Sequence, residues 1–152
     1  VGGNHLTTTV GSDQYFTRII DEIFTDCDGV IAKDNEKSFY VDTNLLLSAV
    51  KRVSIFSNKS THQIALQLNN EQASVSTEDP EQSTKASEEI KGNYQGDDIT
   101  VGYNAAYLND VLSHINSDEG VVQLKSPISA TLLLPKEQEK NSNLTMFSMP
   151  IH

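Results

Sequence analysis

The pattern of apolar and polar positions divides most of the chain into short strands and two amphipathic helices. "SFYVD" at 38–42 alternates, which predicts a half-buried strand. Helical spacing follows in "TNLLLSAVKRVSIFS", with Thr43 or Asn44 as the predicted N-cap. "HQIALQL" and "QASVSTE" alternate around "NNE" and predict a β-hairpin, and "ASEEIKGNY" predicts one further strand. The apolar face of the helix should consist of Leu46, Ala49, Val50, Val53 and Phe56.

The same order of elements returns after the turn "QGDD". "DITVGY" predicts a strand, "NAAYLNDVLSHI" a helix capped by Asn104, and "GVVQLK", "ISATLLLP" and "LTMFSMP" three more strands. Both halves carry Val-x-x-Asn at the junction of strand and helix, at 41–44 and 101–104. Two βαβββ units about sixty residues apart predict an α+β domain with two helices packed side by side on antiparallel sheets. The predicted apolar positions of the second helix are Tyr107, Leu108, Val111, Leu112 and Ile115. Upstream, "DQYFTRIIDEIF" is compatible with either strand or helix.

Composition restricts the classes of protein that this fold can serve. The 152 residues suffice for one ordinary domain plus some extra, and 37% hydrophobic residues suffice for a core. A net charge of −10 argues against binding nucleic acid with the whole surface, although a local basic stripe remains possible. One cysteine leaves no internal disulfide framework, no apolar run is long enough to span a membrane, and "VGGNHLTTTVG" lacks the features of a signal peptide. We therefore expect a soluble cytoplasmic protein.

Three stretches together resemble a known family. "LLLSAVKRVSIFSNKSTHQIALQL", "EDPEQSTKASEEIKGNYQGDDITVGYNAAYLNDVL" and the terminus "MFSMPIH" are similar, in order and spacing, to the C-terminal domain of bacterial replicative sliding clamps, the beta subunit of DNA polymerase III. The resemblance covers about residues 37–152. Residues 1–36, with "RIIDEIFTDCDGVIAKDN", resemble the end of the preceding clamp domain and its linker. We therefore expect a domain boundary near residue 36.

The resemblance implies a non-enzymatic role in DNA replication. Such clamps are head-to-tail dimeric rings of six similar domains that encircle double-stranded DNA without reading its sequence. They tether polymerases and other factors, which insert linear peptide motifs into a cleft, and they need no cofactor and no membrane. One full clamp domain cannot close such a ring in pairs, so we expect either a fragment of a longer clamp or a truncated relative. A truncated relative that binds partner peptides without DNA is the remaining form of this hypothesis.

The resemblance also implies which residues carry these roles. Lys51 and Arg52 lie on the polar side of the first helix and would face DNA, while the second helix offers only His114 there and also carries Asp110. Ile55 and Phe56 match apolar positions of the ring's subunit interface. The acidic positions that would face a basic partner domain are Glu81, Glu88 and Glu89. The peptide-binding cleft would be lined by Val30, Ala130, Phe147, Met149, Pro150 and Ile151.

A second hypothesis comes from "IFTDCDGVIAKDN" at 23–35. Asp26 and Asp28 are similar to the nucleophile loop of haloacid-dehalogenase-type phosphatases, where the first aspartate attacks phosphorus and both help to hold magnesium. "QGDDI" at 95–99 imitates the late acidic pair of that family. A doubly wound parallel sheet would be required, and the βαβββ order does not predict one. The four histidines show no metal-ligand spacing, so we expect no metal site.

Overall fold

The computed structural model describes residues 4–23, 29, 31, 34–70 and 72–151. Two helices, α1 (Thr43–Ser54) and α2 (Ala105–Ser113), and eleven strands lie within these residues. The strands of the first half are β1 (His5–Val10), β2 (Asp13–Arg18), β3 (Lys37–Asp42), β4 (Gln63–Leu68), β5 (Ala73–Asp79), β6 (Thr84–Ile90) and β7 (Gly92–Gln95). Those of the second half are β8 (Ile99–Asn104), β9 (Glu119–Leu124), β10 (Thr131–Pro135) and β11 (Met146–Ser148).

The N-terminal part forms a hairpin of its own. β1 and β2 pair antiparallel from His5 opposite Arg18 to Val10 opposite Asp13, so "DQYFTR" is a strand and not a helix. Gly11 takes a positive φ of 63° in the connecting turn, a conformation that glycine adopts without a steric penalty. Every residue of both strands is exposed. The hairpin therefore buries no apolar face against a described part of the chain.

The two larger sheets exchange one strand between the repeats. One has the order β11-β10-β9-β3-β7 and the other β6-β5-β4-β8, and all their neighbours pair antiparallel. Each sheet thus combines three consecutive strands of one repeat with the first strand of the other, and the five-stranded sheet also contains β7 of the first repeat. Because β3 pairs with β9 and β8 with β4, neither repeat can complete a sheet alone. The predicted α+β fold with two helices on antiparallel sheets is confirmed.

The core shows a large-for-small exchange between the repeats. The ladders place Asp42 and Asn104 at equivalent positions, so that Phe39 corresponds to Val101 and Val41 to Tyr103. All four of these core side chains are at most 3% exposed. A large side chain in one repeat therefore stands where the other has a small one, which keeps the interior close-packed. The helices pack on each other and bury Leu46, Ala49, Val50, Val53, Leu108 and Leu112.

The helix caps agree with the sequence at one position only. Asn104 Oδ1 accepts from the backbone N–H groups of residues 106 and 107 at 2.9 and 3.4 Å, as predicted. The cap of α1 is Asp42, whose carboxylate accepts from Leu45 N at 2.8 Å, so the prediction of Thr43 or Asn44 is wrong. Thr43 is buried beneath Gly120, where an added Cβ would lie 3.1 Å from its Oγ1. The two Val-x-x-Asn sequences are therefore not structurally equivalent.

Two further predictions differ from the structure. "ASEEIKGNY" forms two strands, since the chain leaves β6 after Ile90 and pairs with β3 from Gly92 onward in the other sheet. A Cβ at Gly92 would lie 2.5 Å from a ring carbon of Phe39 and 2.6 Å from the Tyr40 carbonyl oxygen, so this crossing requires glycine. Phe56 lies beyond the end of α1 and is 46% exposed instead of joining the apolar face.

Candidate interaction surfaces

The C-terminal segment joins the two sheets. β11 pairs with β10 through Thr131 opposite Ser148, and the following residues, 149–151, which we call the tail, leave this sheet. The backbone N–H of Ile151 then donates to the carbonyl of Gly102 in β8 at 2.9 Å. A Cβ at Gly102 would lie 2.8 Å from the Ile151 carbonyl oxygen, so the tail approaches this edge strand as closely as glycine allows.

The predicted cleft residues of the tail form a partly exposed apolar strip. Met149 is 53% exposed and Phe147 37%, while Pro150 and Ile151 are half-buried. Ala130 is buried next to Thr131, which places it beside the start of the tail. Flexible methionine beside rigid proline gives an apolar surface that can adapt to the side chain of an extended peptide. Val30, the predicted residue on the linker side, lies outside the described residues.

The end of α1 carries the predicted interface residues beside an open sheet edge. Ile55 is 76% exposed and Phe56 46%, unusually high for large apolar side chains in adjacent positions. Thr84 in β6 donates its hydroxyl to the Phe56 carbonyl at 3.1 Å. β6 is the outer strand of its sheet, so its unpaired backbone groups lie next to this apolar pair. The combination can accept another protein surface.

Arg52, one of the two predicted DNA-facing residues, is engaged within the chain. Its guanidinium donates to both carboxylate oxygens of Glu88 in β6, at 2.9 Å from Nε and 2.5 Å from Nη2. These hydrogen bonds hold the pKa of Glu88 below its ordinary value and raise that of Arg52. Lys51 is exposed and forms no ion pair with a described residue. The positive charge available on α1 is therefore smaller than the sequence suggests.

The polar side of α2 adds little positive charge. His114 Nδ1 lies 2.8 Å from the backbone carbonyl of Asp110 and 3.8 Å from its carboxylate. Tyr107, predicted on the apolar face, is instead 70% exposed. Among the described residues, the exposed positions of the two helices thus include a lysine without an ion pair, an arginine paired to Glu88 and an aromatic ring. These groups suit weak contact with a polyanion better than tight binding.

The described residues form neither the parallel sheet nor the metal-ligand group that the phosphatase hypothesis needs. Both larger sheets are antiparallel, whereas that fold requires a doubly wound parallel sheet. Among the described residues, no three His, Cys, Asp or Glu side chains are grouped so that they could hold a metal ion. Asp26 and Asp28 lie outside the described residues. Among the described helices, neither has the length and apolar character to cross a bilayer.

Two functional contacts were missed at the level of the sequence. Glu88 was assigned to the acidic surface, yet it lies on the same side of β6 as α1 and neutralises Arg52. No local pattern signals a pair 36 residues apart. Gly102 was also missed, although a glycine inside an alternating strand is a known sign of close backbone approach. That signal could have identified the strand on which the tail docks.

Comparisons with known proteins agree on one family. The model of the DNA polymerase III beta subunit, C-terminal domain, matches residues 28–151. A beta sliding clamp from Pseudomonas putida is 30% identical over 146 residues, covering 96% of this chain and 40% of the relative. The crystal structure of the DNA polymerase III subunit beta from Pseudomonas aeruginosa superposes with a TM-score of 0.89 at 27% identity, covering 100% of this chain and 41% of that one. The chain thus spans about 40% of the length of the relatives it matches.

A second solved structure is one with a ligand. The DnaN sliding clamp from Pseudomonas aeruginosa bound to griselimycin matches with a TM-score of 0.86 and 27% identity, covering 100% of this chain and 40% of that chain. The similarity therefore extends over the N-terminal hairpin as well as the two repeats.

Proposed function

Because the chain belongs to the family of the DNA polymerase III beta subunit, C-terminal domain, we propose that it acts as the last domain of a DNA sliding clamp. It would help to encircle double-stranded DNA, hold polymerase and other clamp-binding proteins, and catalyse no reaction itself. The observation that carries this proposal is the family match over residues 28–151 together with superposition of the whole chain on solved clamps. Such a module would work in the cytoplasm, where bacterial DNA is replicated.

We propose the same domain boundary as the sequence suggested, with residues 37–152 as the last clamp domain and 1–36 as part of the preceding domain and linker. The exposed apolar side chains of the hairpin support this, because a large exposed apolar patch is typical of a surface that another protein surface covers. Phe16 is 70% exposed, Val10 64% and Tyr15 56%, and beyond the hairpin Ile20 is 81% and Ile23 99%. Packing against the remainder of a clamp's middle domain would cover them.

The proposed ring contact consists of Ile55, Phe56 and the open edge of β6. Head-to-tail association would place this surface against the first domain of another clamp chain. The test is a size measurement by light scattering, first of the chain alone and then mixed with the first two domains of a bacterial clamp. Assembly into a ring-sized particle, abolished by Ile55→Asp with Phe56→Asp, is the expected result. A mixture that stays as separate components would contradict this contact.

The proposed partner cleft uses the tail, with Met149, Pro150 and Ile151 on one side and Ala130 and Phe147 beside them. A linear peptide with apolar anchors would dock there, and Val30 would contribute from the linker. The exposed Met149 beside the half-buried Pro150 and Ile151 supports this assignment. Fluorescence anisotropy with a labelled clamp-binding peptide tests it. Met149→Ala with Pro150→Ala should weaken binding about tenfold or more; equal binding by both proteins would refute the assignment.

Contact with DNA would be weak and independent of sequence. Lys51 on α1 forms no ion pair with a described residue, and Arg52 lies beside it, so at most two phosphates could be met directly on this helix. A ring retains DNA by its topology and must slide, so tight contacts would hinder it. At low salt, the affinity for a duplex of any sequence should fall when Lys51 is changed to alanine. A marked preference for one sequence would contradict the proposal.

A further inference from the structure

A separate concave surface lies between the end of α2 and the loop that joins β10 to β11. This cavity, which we call the hairpin cavity after the hairpin of β10 and β11, has a volume of about 310 Å3. Its apolar part consists of the buried Pro135 and the half-buried Leu144 and Met146, and Met146 also packs against the main core. Glu137 and Glu139 line the same cavity and are exposed. An apolar floor is thus combined with an acidic rim.

The loop that forms the wall is held by its own hydrogen bonds. The Gln138 side chain donates to the Leu144 carbonyl at 2.9 Å and accepts from the Leu144 N–H at 2.8 Å. The backbone N–H of Ser142 donates to the Glu139 carbonyl at 3.0 Å. At its start, the backbone N–H of Lys136 donates to the Glu119 carbonyl at 2.9 Å. Because the wall is already ordered, a ligand would lose little affinity to the cost of ordering it.

The charges around the rim favour a cationic ligand. The Lys136 ammonium lies 2.6 Å from the Glu119 carboxylate and is thereby directed to β9. Glu137 and Glu139 form no ion pair with a described residue, and Lys140 is the one other cation of the loop. The net charge of −10 for the whole chain adds a field of the same sign.

We propose that the hairpin cavity is a second docking site, which binds an extended segment of a partner protein with one long apolar side chain flanked by Lys or Arg. The apolar side chain enters over Leu144 and Met146, and the flanking cations meet Glu137 and Glu139. The site is distinct from the proposed partner cleft, because the two lie at opposite ends of β11. The cavity lies beside Met146, where β11 begins, and the tail starts after Ser148, where β11 ends. A clamp with both sites could hold one partner at two points, or two partners at once.

A fluorescein-labelled heptapeptide, Gly-Lys-Arg-Phe-Arg-Lys-Gly, is the probe, and fluorescence anisotropy measures its binding. We expect saturable binding that Glu137→Lys with Glu139→Lys weakens about tenfold, since two attractive contacts become repulsive. The matched control is Asp97→Lys with Asp98→Lys, which changes the net charge by the same amount on exposed residues. These residues follow β7, which lies at the edge of its sheet opposite β11, so the affinity should change less than about twofold. Equal losses in the two variants, or no saturable binding, would overturn the proposal.

The apolar contact is tested separately. Replacing the phenylalanine of the probe with alanine should weaken binding about tenfold, and Leu144→Ala should weaken the phenylalanine peptide but not the alanine peptide. Thermal unfolding of L144A shows whether the variant folds, and amide NMR shifts of the wild-type protein show where the probe lies. Met149→Ala in the tail should leave the affinity unchanged. If M149A removes binding, the probe occupies the partner cleft, which refutes the hairpin cavity while leaving the proposed function in place.

Discussion

The two repeats share one framework but end in different ways. After β6 the first repeat continues into β7, which pairs with β3 along four residues. After β11 the second repeat continues into the tail, which meets β8 through the hydrogen bond from Ile151 to Gly102. Both extensions lie against the first strand of a repeat, yet one is a regular strand and the other is three partly exposed residues.

The helices of the two repeats differ in a similar way. Both begin at an acidic or amide cap and bury one apolar face. α1 carries Lys51 and Arg52 in its last turn, with Arg52 paired to Glu88, whereas the last turn of α2 carries no basic residue. The positions of the two helices that build the shared core are thus apolar in both repeats. The residues with proposed functions lie at positions where the two repeats differ. Four pairs of matched substitutions test this difference.

The largest effect should come from the core exchange between the repeats. Phe39→Ala removes a fully buried ring and should lower the free energy of unfolding by about 3–5 kcal/mol. Tyr103→Phe removes only the hydroxyl that lies 2.6 Å from Thr131 Oγ1 and should cost about 1 kcal/mol. Urea denaturation measures both. A loss for Y103F as large as the loss for F39A would mean that the hydroxyl of Tyr103, and not its ring, makes the main contribution of this side chain to the core.

Substitutions of Gly92 and Gly102, where another part of the chain lies close to the glycine backbone, should affect stability and peptide binding differently. Gly92→Ala drives a Cβ into Phe39 and the Tyr40 carbonyl and should cost about 1–3 kcal/mol. Gly102→Ala would instead displace only the Ile151 backbone, so stability should change less while the clamp-binding peptide binds more weakly. Denaturation and peptide anisotropy on both variants measure the two outcomes. If G102A binds the peptide like the wild type, the tail does not depend on its contact with β8.

The two caps should contribute equally. Asp42→Ala and Asn104→Ala each remove a side chain that accepts from backbone N–H groups of the first turn, so each should lower stability by about 1 kcal/mol. Asn44→Ala is the control, because Asn44 is not the cap of α1 in the structure. Thermal unfolding of the three variants is the measurement. If N44A lost as much stability as D42A, Asn44 would cap α1 as the sequence predicted.

The smallest effect on stability should come from the Arg52–Glu88 pair. Both side chains are partly exposed, at 57% and 29%, and exposed ion pairs add little to stability. Glu88→Gln should leave the unfolding midpoint nearly unchanged but release Arg52, so that the slope of log affinity against log salt for duplex DNA steepens by about 0.9. Glu89→Gln serves as the control. An unchanged slope in E88Q would show that Arg52 does not reach phosphate.

The same pair has a defined pH dependence. Because hydrogen bonds from Arg52 lower the pKa of Glu88 from its ordinary value of 4.5, the pair stabilises the fold at neutral pH. Its small contribution is lost as the pH falls through the lowered pKa of the folded state. E88Q should therefore show a weaker loss of stability on acidification than the wild type, measured by thermal unfolding across that range.

The sequence by itself determined the duplicated βαβββ architecture and most of each helical face, with Phe56 and Tyr107 as the exceptions. Each of these depends on local spacing, since burial on one face of a helix or strand leaves a period of 3.6 or 2 in the residues themselves. The cap at Asn104 belongs to the same class, because a cap bonds to N–H groups two or three residues away. Positions such as Leu46, Val50 and Leu108 are buried as their spacing predicts.

The tertiary structure alone decided which distant groups meet. The division of "ASEEIKGNY" at Gly92 depends on the position of Phe39, and the pairing of Arg52 with Glu88 joins a helix to a strand 36 residues later. The tail reaches Gly102 because the repeats exchange strands. The hairpin cavity forms because the Gln138 side chain hydrogen-bonds to the backbone of Leu144 within the loop that joins β10 to β11. These contacts leave no period in the sequence, since they depend on where separate elements pack. The proposed binding surfaces are built from contacts of this second kind.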